Sequence, residues 1–230
     1  MFQMDIVSLV VRYKKRLISG WADLYYKVFQ EPFYFFSFNR NGNRYECRGK
    51  LRNSHVIVVG RGNTISIGKN TLLNKVDITV SGHNNRLIIR NNVRFPEGGR
   101  IRIEDSDNII EIGQKSTLIN CFLSVADTKT RLILGENCLF SAGVAIRTSD
   151  SHSIVGTSGI RINPGEDVII GNHVWVGYGV TILKGSMIGD NCIVGTESVV
   201  SGQKIEQNTV AVGNPCRIVK RGVNWIEKRI

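Results

Sequence analysis

Ile170, Val176, Ile182, Ile188, Val194 and Val200 recur every six residues without a slip. Gly171, Gly177, Gly189 and Gly195 directly follow four of them, and Val174, Val180, Ser186, Cys192 and Ser198 mark a second phase of smaller residues. A helix repeats about every 3.6 residues and a strand about every 2. Neither produces a period of six with glycine at a fixed phase. A prism-shaped coil does, because each flat side takes one hexapeptide and each corner takes a tight turn.

The same grammar runs upstream with longer corners. Blocks that open at Asn63, Asn85, Asn108 and Thr130 start 22, 23 and 22 residues apart. In each, a large apolar residue returns six places after the block's last aliphatic: Leu73, Phe95, Leu118 and Phe140. Near Leu134 the coil shortens towards 18 residues, three hexapeptides. These features predict an all-β solenoid of parallel strands over residues 51–221, about eight coils, with inward Ile, Val, Leu and Phe in columns. Each buried aliphatic contributes about 1.5–3 kcal/mol.

One stretch breaks the rhythm. Between Arg147 and Glu166 the phase is lost, and the chain reads Thr148-Ser149-Asp150-Ser151-His152-Ser153-Ile154 before a Gly- and Ser-containing run. A loop of that length on a regular scaffold is a common seat of function, so residues 147–166 are the expected active-site loop. Outside the coil, residues 1–50 form an extension. Within it, residues 4–29 have the apolar spacing of an amphipathic helix: Ile6, Val10, Tyr13, Leu17, Trp21, Leu24 and Val28. Two uses of that helix stay open, a cap on the first coil or a basic interfacial helix making peripheral contact with an anionic membrane. Residues 32–50 read as a connector. Residues 222–230 are a short basic tail, where Val223-Asn224-Trp225-Ile226 suits a short helix.

The net charge of +11 favours anionic partners such as acidic polysaccharide, phospholipid or a phosphate-rich co-substrate. No recognition motif supports nucleic acid. The five cysteines contain no C-x-x-C pair, and Cys138 and Cys192 fall on the small-residue phase, as buried apolar groups would. This is the usage of a reducing compartment. With no signal peptide evident, the expected location is cytoplasmic, with the inner membrane face as the alternative setting for residues 4–29.

The segments Ile169-Ile170-Gly171-Asn172-His173-Val174-Trp175-Val176-Gly177, Ile188-Gly189-Asp190-Asn191, Ile193-Val194-Gly195-Thr196-Glu197-Ser198-Val199-Val200 and Gly213-Asn214-Pro215-Cys216-Arg217-Ile218-Val219-Lys220 resemble the hexapeptide-repeat acyltransferases. Within that family they are most similar to the maltose and galactoside O-acetyltransferases and the enzymes that modify capsule polysaccharides. The resemblance implies a left-handed parallel β-helix, a homotrimer, and acetyl-CoA as donor to a saccharide hydroxyl, with no metal. The charge adds an anionic or lipid-linked acceptor to these expectations.

The resemblance also implies roles for single residues. His152 matches the catalytic histidine, and an imidazole suits removal of a hydroxyl proton near neutral pH. Asp150 is expected either to orient that imidazole or hold the acceptor, or else simply to cap a turn. Trp175 matches the tryptophan beside the active site, and Tyr178 the backbone N–H that meets the thioester oxygen. Thr196, Ser201 and Gly202 match the wall of the CoA groove. Lys204, Arg217 and Lys220 match cations near its phosphates. His55, His83 and His173 read as turn or surface residues.

Four other functions compete with this reading. N-acetylation of a nucleotide-linked amino sugar is one, but residues 1–50 show no βαβ pattern and no G-x-G-x-x-G after a strand. Antibiotic acetylation shares the same motifs. A zinc-dependent hydratase on the same solenoid needs three convergent histidines, and the four here are scattered. A non-catalytic scaffold leaves the His152 loop without a purpose. If the register is right, Ile188→Asp places a charge in the core and unfolds the C-terminal coils. An unchanged melting temperature in that variant argues against the register.

Overall fold

The computed structural model describes residues 35–38 and 41–230, all within the compact unit Tyr34–Ile230. The helix expected at residues 4–29 lies outside the described residues. Among the described residues, twenty-five strands form three sheets. Sheets A and B have eight strands each and sheet C has nine, and the chain visits them in the fixed order A, B, C. Every strand pair is parallel except the last. No helix among the described residues is long and apolar enough to cross a membrane.

The inward columns follow the sequence phase. In sheet C, Leu51, Leu73, Phe95, Leu118, Phe140, Val176, Val194 and Ala211 stand in register on successive coils. Ile188 faces inward as expected, 2% exposed. Coil length also follows it: Ile169 pairs with Met187, 18 residues on, whereas Thr117 pairs with Leu139, 22 residues on.

Three features differ from the sequence expectation. The coil begins earlier than residue 51, because Phe35–Phe38, Arg44–Cys47 and Lys50–Arg52 already occupy sheets A, B and C. Polar and aromatic residues interrupt the repeat there, and among the residues whose side chains are described Tyr45, Cys47 and Leu51 pack on the core. At the other end, Val223–Ile226 form no helix. Arg217–Arg221 form an antiparallel strand against Thr209–Val212, closing that edge of sheet C. Finally, the regular glycines do not make the turns. The left-handed corner between sheets B and C is held by Asn70, Asn92, Lys115, Asn137, His173, Asn191 and Asn208, with φ between 53 and 60°. Asparagine adopts that conformation more readily than most residues. Gly177 and Gly189 answer a different need: a Cβ there would lie 2.7 Å from Thr196 N and 2.6 Å from Gln207 N on the next coil.

The corner between sheets A and B contains a buried polar ladder. Asn85 is fully buried and donates its backbone N–H to Asn63 Oδ1 (2.9 Å). Its own Oδ1 accepts from Asn108 N (2.9 Å), and its Nδ2 donates to Asp105 O (2.9 Å). The same link joins Asn63 N to Asn43 Oδ1 (2.7 Å) below, and Thr130 N to Asn108 Oδ1 (2.7 Å) above. The Thr130 and Thr148 hydroxyls then meet at 3.0 Å. A side-chain amide suits this place because it both donates and accepts. Asn85→Ala leaves Asn108 N–H without its partner and removes one of the two donors to Asp105 O, which keeps His83 N–H. At about 1–3 kcal/mol for a buried orphan, the expected loss is about 1–3 kcal/mol. Urea unfolding measures it, and a loss below about 0.5 kcal/mol contradicts the ladder's role.

Candidate active site

The interrupting loop leaves the top of this ladder. Its first residues, Thr148 and Ser149, are buried, and Thr148 Oγ1 accepts from Ala126 N (3.2 Å). Ser149 Oγ donates to Asp127 Oδ2 (3.0 Å) and accepts from Ser151 N (3.0 Å). Ser151 then takes the left-handed conformation, φ 65°, and His152 N donates to Asp150 O (2.8 Å). Beyond His152 the chain makes a hairpin, with Ile162 N donating to Ile154 O and Gly156 N to Ile160 O, both at 2.8 Å. It returns to the prism where Glu166 N donates to Thr148 O (2.9 Å).

Asn163 ties the two limbs together. Its Oδ1 accepts from Ile154 N (2.7 Å), and its Nδ2 donates to both His152 O (2.9 Å) and Asp150 Oδ2 (2.8 Å). Lys184, from the same corner one coil on, donates Nζ to Asp150 Oδ2 (2.6 Å), Pro164 O (3.1 Å) and Asn163 O (3.2 Å). Arg161 grips Asp127 with two bonds of 3.0 and 2.8 Å. The backbone of His152 is therefore held from both sides while its side chain faces solvent.

The charges follow from these contacts. The Lys184 ammonium, then the Asn163 amide, hold the Asp150 carboxyl below the usual carboxylate range. The Arg161 guanidinium does the same for Asp127, helped by Ser149. Burial pushes the Cys121 thiol up to about 12 and the Cys138 thiol up to about 11, so neither supplies a thiolate near neutral pH.

The expected site residues fall into separate groups. Asp150, His152, Ser201 and Gly202 share the A–B corner, where a Cβ on Gly185 would lie 3.5 Å from Gly202 Cα. Asp150 makes no hydrogen bond to the His152 imidazole. It instead reaches His152 through Asn163, which bonds both Asp150 Oδ2 and His152 O. Trp175 stands on the outer face of sheet C, 40% exposed. Tyr178 and Thr196 occupy the C–A corner on successive coils, where Glu197 N donates to Tyr178 O (2.8 Å). Lys204 and Arg217 line one groove of about 510 Å3 at the C-terminal end, together with Arg221. Lys220 is exposed on the same final strand. No hydrogen bond or ring contact links the His152 group to Trp175 or Tyr178 within the chain. Six residues of strand and corner separate Tyr178 from Lys184, about 20 Å if extended.

Sequence reasoning missed Lys184, Asn163, Arg161 and Trp225. Trp225 crosses back over the B–C corner, donates Nε1 to His173 O (2.7 Å) and stacks on the His173 ring at 4.4 Å, with Trp175 tilted at 6.0 Å. The one available signal was for Lys184, which occupies the corner position that repeats one coil after the loop.

Comparison with known proteins agrees with this architecture. The family described as bacterial transferase hexapeptide (six repeats) matches residues 167–202. The crystal structure of the polysialic acid O-acetyltransferase OatWY is 33% identical with a TM-score of 0.77, over 86% of this chain and 93% of that one. That of the polySia-specific acetyltransferase NeuO is 28% identical with a TM-score of 0.74, over 85% and 89%. The galactoside O-acetyltransferase of Escherichia coli (strain K12) is 45% identical over 53 residues, which span 23% of this chain and 26% of that relative.

The Asp150 contacts carry a pH dependence. Because the folded carboxyl titrates below its ordinary value, its contribution is present above the unfolded value of 3.8 and is lost as pH falls through the folded one. Lys184→Met removes the main cause. Carbon NMR should then show Asp150 titrating at higher pH than in the wild type, and amides 150–166 should exchange faster at neutral pH. Unchanged titration contradicts the assigned cause.

Proposed function

The chain belongs to the bacterial hexapeptide-repeat transferases, and from that premise we propose that it is an acetyl-CoA-dependent O-acetyltransferase acting on a saccharide hydroxyl. The observation that carries this reading is the single interruption of the coil, which presents His152 on a loop fixed from both limbs. The left hand expected of the coil comes with family membership.

The reaction needs three things from the chain. A base must take the hydroxyl proton as oxygen attacks the thioester carbonyl, and His152 is that base. Such a group typically contributes about 10²–10⁴-fold. The developing oxyanion needs a donor, and the backbone N–H of Tyr178 fills the role, worth about 3–4 kcal/mol in comparable sites. The CoA thiolate must leave protonated, and the His152 imidazolium returns the proton it took. Asp150 is a positioning residue, since it acts on the loop through Asn163 and Lys184. With the Cys121 and Cys138 thiols raised by burial, transfer proceeds directly between donor and acceptor with no acetyl-enzyme. Acetyl-CoA supplies the activated acyl group, and its phosphates suit the cationic groove of Lys204, Arg217 and Arg221.

His152 lies at the A–B corner, Trp175 on the face of sheet C and Tyr178 at the C–A corner, so a complete site needs two copies. In the homotrimer we propose, the loop of one protomer meets sheet C of its neighbour, and three equivalent sites form around the threefold axis. The acceptor is a surface-polysaccharide or lipid-linked sugar.

Two measurements test this. His152→Ala should lower acceptor-dependent thiol release by about 10²–10⁴-fold, and equal turnover removes His152 as the base. Co-refolding inactive His152→Ala with inactive Trp175→Ala in equal amounts should restore about a quarter of the wild-type sites by random assembly. No recovery rules out the shared site.

A further inference from the structure

The outer face of sheet A carries three arginines beside the loop. Arg100 and Arg102 stand on Gly99–Ile103, and Arg147 ends Ala145–Arg147. Phe122, on the intervening strand Cys121–Val125, lies among them. The register sets Arg100 opposite Phe122 and places Ser124 between Arg102 and Arg147. The Arg147 guanidinium carbon is 4.9 Å from the centroid of the Phe122 ring, and that of Arg100 is 5.9 Å away.

These cations are not neutralised as others are. Arg48, Arg90, Arg131 and Arg161 each meet a carboxylate at 2.6–2.8 Å. Arg100 and Arg147 have no carboxylate within salt-bridge distance among the described residues, and Arg102 has only a loose contact of 3.8 Å with Glu104. Asp77 neighbours Arg100 in the register but is engaged by His55 at 2.6 Å. A guanidinium gains about 0.5–1 kcal/mol from an exposed aromatic ring. That orients it but leaves its charge uncompensated. Two such charges over one ring, with Arg102 two residues along the strand from Arg100, repel one another, and an anion set between them relieves that repulsion. Arg147 is bonded directly to Thr148, so the patch borders the loop that holds Asp150 and His152.

We propose that Arg100, Arg102 and Arg147, arranged about Phe122, form the subsite that binds the acidic group of the saccharide acceptor. The inference rests on the acetyl-transfer reading and names the chemistry of its acceptor, a sugar bearing carboxylate or phosphate. Guanidinium forks match both groups with paired hydrogen bonds. Neighbouring parallel strands lie about 4.8 Å apart, so Arg102 and Arg147, in register two strands apart, stand about 10 Å from each other at the backbone, and Arg100, two residues off that register, about 12 Å from Arg147. These long side chains can close on one oxyanion.

The test uses the full chain without acetyl donor. Calorimetry measures binding of an oligosaccharide carrying carboxylates, one carrying phosphates, and the neutral carboxyl-reduced counterpart. Arg147→Gln should cut the preference for the acidic ligand over its neutral counterpart about tenfold, and Arg147→Lys, which keeps charge but loses the fork, by less. The acidic ligand that loses more identifies the native group. Equal losses for acidic and neutral ligands overturn the subsite, as does an unchanged preference. If a separate titration shows that Arg147→Gln weakens acetyl-CoA binding instead, the patch serves the donor's phosphates and the proposal is wrong. A wild type that binds acidic oligosaccharide through these arginines yet transfers no acetyl group to it sinks the acetyl-transfer reading and leaves the subsite standing.

Discussion

Register between successive coils is the constraint on which the rest depends, and the asparagine ladder helps to set it. Parallel strands two to eight residues long offer few hydrogen bonds each, and their apolar columns look alike from one coil to the next. A slip by one residue would turn every inward side chain outward. The ladder allows no such slip, because Asn63, Asn85 and Asn108 each satisfy backbone groups on neighbouring coils from a buried position. A displaced coil would leave those amides unpaired. The ladder ends at Thr130 and Thr148, where the chain leaves the prism. The most tightly registered corner is thus also the launching point of the loop.

Much of the fold could be read from the sequence because six-residue periodicity records burial directly. Ile188 and Phe140 had to face inward, and they do. The first coil was hidden because charged and aromatic residues replace aliphatics there, so its strands rest on hydrogen bonds to the coil above rather than on a visible pattern. The glycine phase was visible but its cause was not. Only the neighbouring coil shows that Gly177 avoids a collision rather than making a turn.

The site was legible in outline and not in detail. A broken rhythm and a lone histidine mark the loop, since both are properties of one local stretch. The contacts that fix the loop join residues far apart in the chain: Arg161 to Asp127, and Lys184 to Asp150. Nothing local in the sequence specifies those pairs. The same holds for Arg147 and Phe122, which meet only because two coils stack. That His152 stands at the A–B corner and Trp175 on the face of sheet C follows from the order of the sheets, which periodicity alone does not reveal.

The final strand has a consequence for how the molecule coexists with its own copies. A parallel solenoid is directional, and its last coil offers the arrangement on which one more coil would grow. Any copy presenting a first coil could in principle extend it into a fibre. Arg217–Arg221 reverses direction on the end of sheet C and places three basic side chains there. A newcomer would meet the wrong strand polarity and a positive charge together. The turn that returns the chain to that edge therefore fixes the length of the rod.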